Sequence, residues 1–147
     1  MNVERYDKGE VIVREGDSGD SMFFIRGGKV AAYASFGTPA ERLLAELGRG
    51  DYFGEMSLLD HEGRSATIVS AEQGTTVSRI TEAEFSEFLA ESPGKVFDVL
   101  RRLSHKLRKI TTEYVALCEE IESSEDGKFE QNEKLKAVHD AVQASKA

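Results

Sequence analysis

The chain has 147 residues, 39% of them hydrophobic and 31% charged, with a formal net charge of −8. That size suits one domain with a single core plus an appended helix, and the acidic balance is opposite in sign to that of nucleic-acid binders. No apolar run approaches the roughly 20 residues of a membrane helix; with no signal-peptide segment after Met1-Asn2-Val3-Glu4-Arg5, the expected address is cytoplasmic.

Residues 10–80 read as short strands between turns. Glu10–Arg14 alternates weakly and ends at Glu15-Gly16-Asp17, a turn that continues through Ser18-Gly19-Asp20. Met22–Arg26 is a short apolar run, Gly27-Gly28 a hairpin signal, and Lys29–Ser35 the return strand. A loop at Gly37-Thr38-Pro39 precedes a strand over Arg42–Leu47 and a turn at Gly48-Arg49-Gly50-Asp51. Ala66–Ala71 and Thr75–Ile80 are predicted to pair with each other across Glu72-Gln73-Gly74. Many short strands with glycine turns predict a mainly β fold, an antiparallel β-roll or jelly-roll barrel.

The period then changes. Thr81-Glu82-Ala83-Glu84 is a capping box that opens a short helix through Phe85, Phe88 and Leu89, broken at Ser92-Pro93-Gly94. A long helix is predicted over about residues 95–122. Its apolar positions Val96, Leu100, Leu103, Leu107, Ile110, Tyr114, Leu117 and Ile121 follow alternating steps of four and three. That is a heptad seam of mean period about 3.5, and its narrowness favours a second helix over the chain's own barrel as its partner. A homodimer through this helix is therefore expected. Lys95–Thr112 carries six basic residues and one acidic one, whereas Glu119–Ala147 carries eight acidic and four basic. Residues 123–132 read as a polar linker and Glu133–Val142 as a short amphipathic helix. The expected organisation is a β-roll over 1–94, the long helix over 95–122 and an acidic tail over 123–147.

The chemically informative stretch runs from Phe53 to Ile68, between two strand signals. Ser57–Asp60 has room for one helical turn, whose leading N–H groups suit an anion. Gly54 permits close backbone approach. Arg64 supplies a permanent planar cation that holds phosphate oxygens bidentately, and Ser65 adds a hydroxyl beside it. Glu55 is an acceptor, suited to a sugar hydroxyl. Taken residue by residue, a structural turn with a surface Glu55–Arg64 ion pair accounts for the stretch better than a binding site does.

Phe53-Gly54-Glu55, a hydrophobic turn, and Arg64-Ser65-Ala66-Thr67 nine residues after the glutamate resemble the phosphate-binding cassette of the cyclic-nucleotide-binding domain superfamily. Gly9-Glu10, Glu15-Gly16-Asp17, Phe24-Ile25-Arg26-Gly27-Gly28-Lys29-Val30 and Gly50-Asp51-Tyr52-Phe53 resemble the same family's strands and turns. The resemblance covers about residues 6–122. It implies that Glu55 holds the ribose 2′-hydroxyl and that Arg64 pairs with the cyclic phosphate. Gly54, Glu55, Met56, Ser65 and Ala66 complete the lining, and Phe85 packs near the cassette and follows its movement. Ile110-Thr111-Thr112-Glu113 resembles the segment with which catabolite activators contact adenine, which adds Thr111 and Thr112 to the ligand-binding set and favours cAMP. Ser65 keeps cGMP as the alternative.

A sensor and not an enzyme is thus expected, with the cyclic nucleotide as ligand, no cofactor and no metal. Cys118 is the one cysteine, and His61, His105 and His139 share no ligand spacing, which disfavours a cupin-like metal enzyme. The 25 residues after Glu122 are too few for a winged helix-turn-helix, so no DNA contact is expected. The alternatives are a degenerate fold serving as a dimerising interaction module and a transcription-regulator fragment without its DNA-binding part. Arg101-Arg102-Leu103-Ser104 resembles a kinase site, but it lies mid-helix and is read as coincidence.

Overall fold

The computed structural model describes residues 2–91 and 93–123, together with Ala137 and Asp140, and side chains of the long helix through Glu119. The linker predicted from 123 onward and the helix predicted over Glu133–Val142 lie almost wholly outside the described residues. The chain divides into two compact units, Met1–Pro93 and Gly94–Ala147.

The first unit holds two four-stranded antiparallel sheets. The strands are β1 (Asn2–Tyr6), β2 (Val11–Val13), β3 (Ser21–Gly27), β4 (Lys29–Ala34), β5 (Arg42–Gly48), β6 (Tyr52–Phe53), β7 (Thr67–Ser70) and β8 (Thr75–Thr81). One sheet runs β1-β8-β3-β6 and the other β2-β7-β4-β5. Apolar residues Phe23, Ile25, Val30, Ala32, Phe53, Ile68 and Val77 from both sheets form one buried cluster, as expected when the inner faces of two sheets share a core. Phe23 lies opposite Phe53 in the register, and their rings stack at 4.9 Å. This is the β-roll expected from the strand pattern.

Three features differ from the sequence reading. The two-residue β6 carries no strand signal. β1 is a full edge strand paired to β8 from Asn2 to Tyr6; its polar sequence, with Val3 exposed, has little alternation to reveal it. The predicted pairing of the last two strands is corrected. β7 pairs with β2 and β4, whereas β8 pairs with β1 and β3, so Glu72-Gln73-Gly74 crosses between sheets. All four residues of β7 are buried, which requires neighbours on both edges and a covered face, more than one hairpin partner supplies.

Three helices complete the described chain: α1 (Glu55–Asp60), α2 (Glu82–Glu91) and α3 (Pro93–Ser123). α1 packs on β3 and α2 on β8. The capping box forms in full. The Thr81 amide donates to Glu84 Oε2 at 3.0 Å, and the Glu84 amide to Thr81 Oγ1 at 3.4 Å. α3 opens on Pro93, whose missing N–H costs nothing in a first turn. In α3, Leu100, Leu107, Ile110 and Leu117 of the heptad stripe are exposed, while Val99 and Cys118 are buried. Among the described residues no helix is long and apolar enough to cross a membrane.

Candidate functional site

The cassette is built where β6 ends. Gly54 takes a left-handed conformation, φ 78°, and caps α1. Its glycine identity is required twice over: a side chain would be strained there, and a Cβ would stand 2.5 Å from Arg64 Nη1. Glu55 opens the helix and is 5% exposed, while Met56 points outward at 48%. Beyond α1 the chain returns to Arg64, which is 7% exposed, then to the exposed Ser65 and the half-buried Ala66 that lead into β7.

Arg64 is fixed from several directions. Its amide donates to Asp17 O and its carbonyl accepts from the Gly16 amide, both at 2.8 Å, which ties the cassette to the turn before β3. Nη1 donates to Ser21 O at 2.7 Å and to Gly54 O at 3.1 Å, and Nη2 to Ser21 Oγ at 3.3 Å. The guanidinium lies 5.7 Å from the centroid of the Phe23 ring. Gly19 stands so close that a Cβ would lie 2.3 Å from Cζ.

A guanidinium has five N–H donors. The three side-chain bonds of Arg64 leave from Nη1 and Nη2 to uncharged oxygens, and among the described residues no protein acceptor meets Nε. Nε–H lies on the Nε–Nη2 edge of the guanidinium plane, the side-on fork that grips two oxygens of a phosphate or carboxylate. Burial pulls the guanidinium below the usual arginine value. Asp20, and more weakly Asp17 and Glu55, draw it back up, while the charge of Arg79 lowers it. Arg64 remains cationic across the physiological range, with none of its acceptors a carboxylate.

The structure thus brings Gly54, Glu55, Met56, Arg64, Ser65 and Ala66 together around one short helix and its return. Thr111 and Thr112 lie on α3, in the second unit, where their hydroxyls donate to Leu107 O at 2.8 Å and Arg108 O at 2.9 Å. Phe85 of α2 stacks on Phe88, ring centroids 6.2 Å apart. Sequence reasoning missed Gly19, Asp20, Ser21 and Arg79, which surround Arg64 or its partners. The only local signal was the Ser18-Gly19-Asp20 turn. Among the described residues no group of three or more His, Cys, Asp and Glu is placed to hold a metal ion.

The chain belongs to the cyclic nucleotide-binding domain family, whose model matches residues 3–92. It is 36% identical over 88 residues to human cGMP-dependent protein kinase 2, covering 59% of this chain and 12% of the kinase. It is 32% identical over 108 residues to the cyclic AMP receptor protein of Thermus thermophilus, covering 74% of this chain and 50% of that protein. The crystal structure of the Thermus thermophilus catabolite activator protein superposes with a TM-score of 0.71 at 30% identity, over 79% of this chain and 54% of that one. The chain therefore spans about half of the length of the two bacterial relatives and about an eighth of the kinase.

Proposed function

We propose that the chain is a cyclic-nucleotide sensor without catalytic activity, in which Arg64 clamps the cyclic phosphate and Glu55 takes the ribose hydroxyl. The observation that carries this reading is the open edge of a buried, otherwise fully engaged guanidinium. A buried cation bonded only to neutral oxygens favours an anion strongly. Gly54, Met56, Ser65 and Ala66 form the rest of the cassette in this reading. Relatives named for cAMP and for cGMP both match the chain, so the base is argued from the α3 threonines. The Thr111 and Thr112 hydroxyls already donate to their own helix, so each has only acceptor capacity left. Adenine presents an amino donor at its six position where guanine presents an oxygen, and we therefore favour cAMP. α3 is the element proposed to respond to the ligand and to pair with a second copy.

Calorimetric titration of ligand-free protein with cAMP and cGMP tests the reading. Binding of cAMP, tighter than that of cGMP, is expected. Arg64→Ala should weaken it by about thirtyfold or more, the usual consequence of truncating one partner of a buried charge pair. No heat from either nucleotide sinks the proposal. The exposed apolar stripe on α3 favours one second reading, a dimerising module on a retired binding fold. An intact dimer without nucleotide binding would select it.

A further inference from the structure

Two arginines converge on one hydroxyl. Ser21 Oγ accepts from Arg64 Nη2 at 3.3 Å and from Arg79 Nε at 3.1 Å. Arg79 then extends Nη2 to Asp20 Oδ1 at 3.1 Å. In the β3–β8 register Ser21 faces Thr81 while Phe23 faces Arg79, so Arg79 reaches two positions along the sheet to make these bonds. The Ser21 hydroxyl and carbonyl together occupy one end of the Arg64 guanidinium. Asp20 is tied in through its own carbonyl, which accepts from the Glu82 amide at 3.2 Å.

The Arg79 and Asp20 side chains are 42% and 74% exposed, and an exposed ion pair adds little to stability. Its position is what distinguishes it. Arg79 spans Asp20, just before β3, and Ser21, its first residue, and Ser21 supplies two of the three side-chain bonds that orient Arg64. The Arg79 hydrogen bond holds the Asp20 carboxyl below its usual range, with the Ser21 hydroxyl adding to it, so the brace stays ionised at neutral pH.

We propose that Arg79 is a positioning residue for anion binding: with Asp20 it fixes Ser21, which holds one end of the Arg64 guanidinium and leaves the Nε–Nη2 edge aimed outward. The proposal rests on the reading of Arg64 as the phosphate clamp. An arginine side chain carries considerable rotamer entropy, and a clamp that is already oriented loses less of it when the ligand arrives. A simple charge effect predicts something different. Arg79 would then help an anion and Asp20 would hinder it, whereas in a brace both help.

Calorimetry on the ligand-free full chain with cAMP as the probe separates the two. Arg79→Gln should weaken binding by about tenfold. Asp20→Asn should also weaken it, although it removes a negative charge near the site. The double variant should be no weaker than the poorer single variant by more than about twofold, since both act on one unit. Arg79→Lys should recover part of the loss, because an ammonium lacks the fork that spans Ser21 and Asp20. Unchanged affinity in Arg79→Gln, tighter binding in Asp20→Asn, or full recovery in Arg79→Lys would each overturn the proposal. If Arg79→Gln fails to fold, Asp20→Asn and Arg79→Lys still decide. Loss of binding in Arg64→Ala beside an indifferent Arg79→Gln overturns the brace alone; a wild-type chain that binds neither nucleotide overturns the clamp as well.

Discussion

At the residue scale, a glycine sets how tightly the clamp is held. Gly19 presses its backbone against the Arg64 guanidinium, where a Cβ would come within 2.3 Å of Cζ and 2.4 Å of Nε. Its φ is not in the left-handed region, so alanine has no conformational objection to the position, and the whole cost falls on Arg64. Gly19→Ala should therefore keep the fold but push the guanidinium off Ser21, weakening cAMP binding by about tenfold or more. Gly37 gives the contrast. Its φ is +77° with open space around it and its amide bonds Glu41, not the cassette, so Gly37→Ala should lower the melting temperature while leaving affinity nearly intact. Melting curves with and without nucleotide check both, and Gly19→Ala chains binding as well as wild type would show that Arg64 is not pinned. Glu55 and Arg64 were singled out in the sequence because their short segment, with its nine-residue spacing, resembles a family cassette; residue chemistry alone favoured a structural turn. Gly19, Ser21 and Arg79 were not. The hydrogen bonds that matter join Ser21 to positions 43 and 58 residues away, and no local period marks such partners.

At the scale of elements, the signals that were read correctly are local ones. The capping box at Thr81 and Glu84 needs four consecutive residues, and both of its halves form. Thr81 is also the last residue of β8, opposite Ser21, so the cap stops a strand and starts a helix at one position. Thr81→Ala should cost about 1 kcal/mol by urea denaturation, and Thr81→Ser, which keeps the hydroxyl, much less. Equal losses in the two variants would mean that strand packing of the threonine, and not its cap, is what counts. β2 to β5, β7 and β8 follow their glycine turns and apolar runs closely, whereas β6, only Tyr52–Phe53, is too short to show a pattern. β1 escaped because an edge strand with a polar sequence has no alternation to show. The supposed hairpin of β7 with β8 failed for a related reason. Adjacency in sequence favours a hairpin, but a two-sheet roll has to hand the chain from one sheet to the other somewhere. In the folded chain all four residues of Thr67–Ser70 are buried, as a central strand with two neighbours requires.

At the scale of the whole molecule, α3 is the element whose sequence asks for something further. Its 31 residues span roughly 46 Å, and its stripe leaves Leu100, Leu107, Ile110 and Leu117 between 48% and 67% exposed. Spacings of four and three sustained over this length are those of a two-stranded coil, and the second copy proposed above would cover them. Wild-type chains should therefore sediment as a dimer, and Leu107→Glu, which places a charge at the most exposed of these four positions, should give monomers at the same concentration. The clamp itself is assembled from residues 16–66 and 79 of the first unit, so the Leu107→Glu monomer should still bind cAMP and should still lose it on Arg64→Ala. Its affinity relative to the dimer carries further information. If nucleotide tightens the seam by some factor, dimerisation must tighten nucleotide binding by the same factor, because the coupling free energy is reciprocal. Sedimentation with and without cAMP and titration of the Leu107→Glu chain thus measure one quantity twice. Agreement between them would identify α3 as the route by which the clamp is heard outside its own unit, while a wild-type chain that sediments as a monomer with and without ligand would remove the seam from the mechanism.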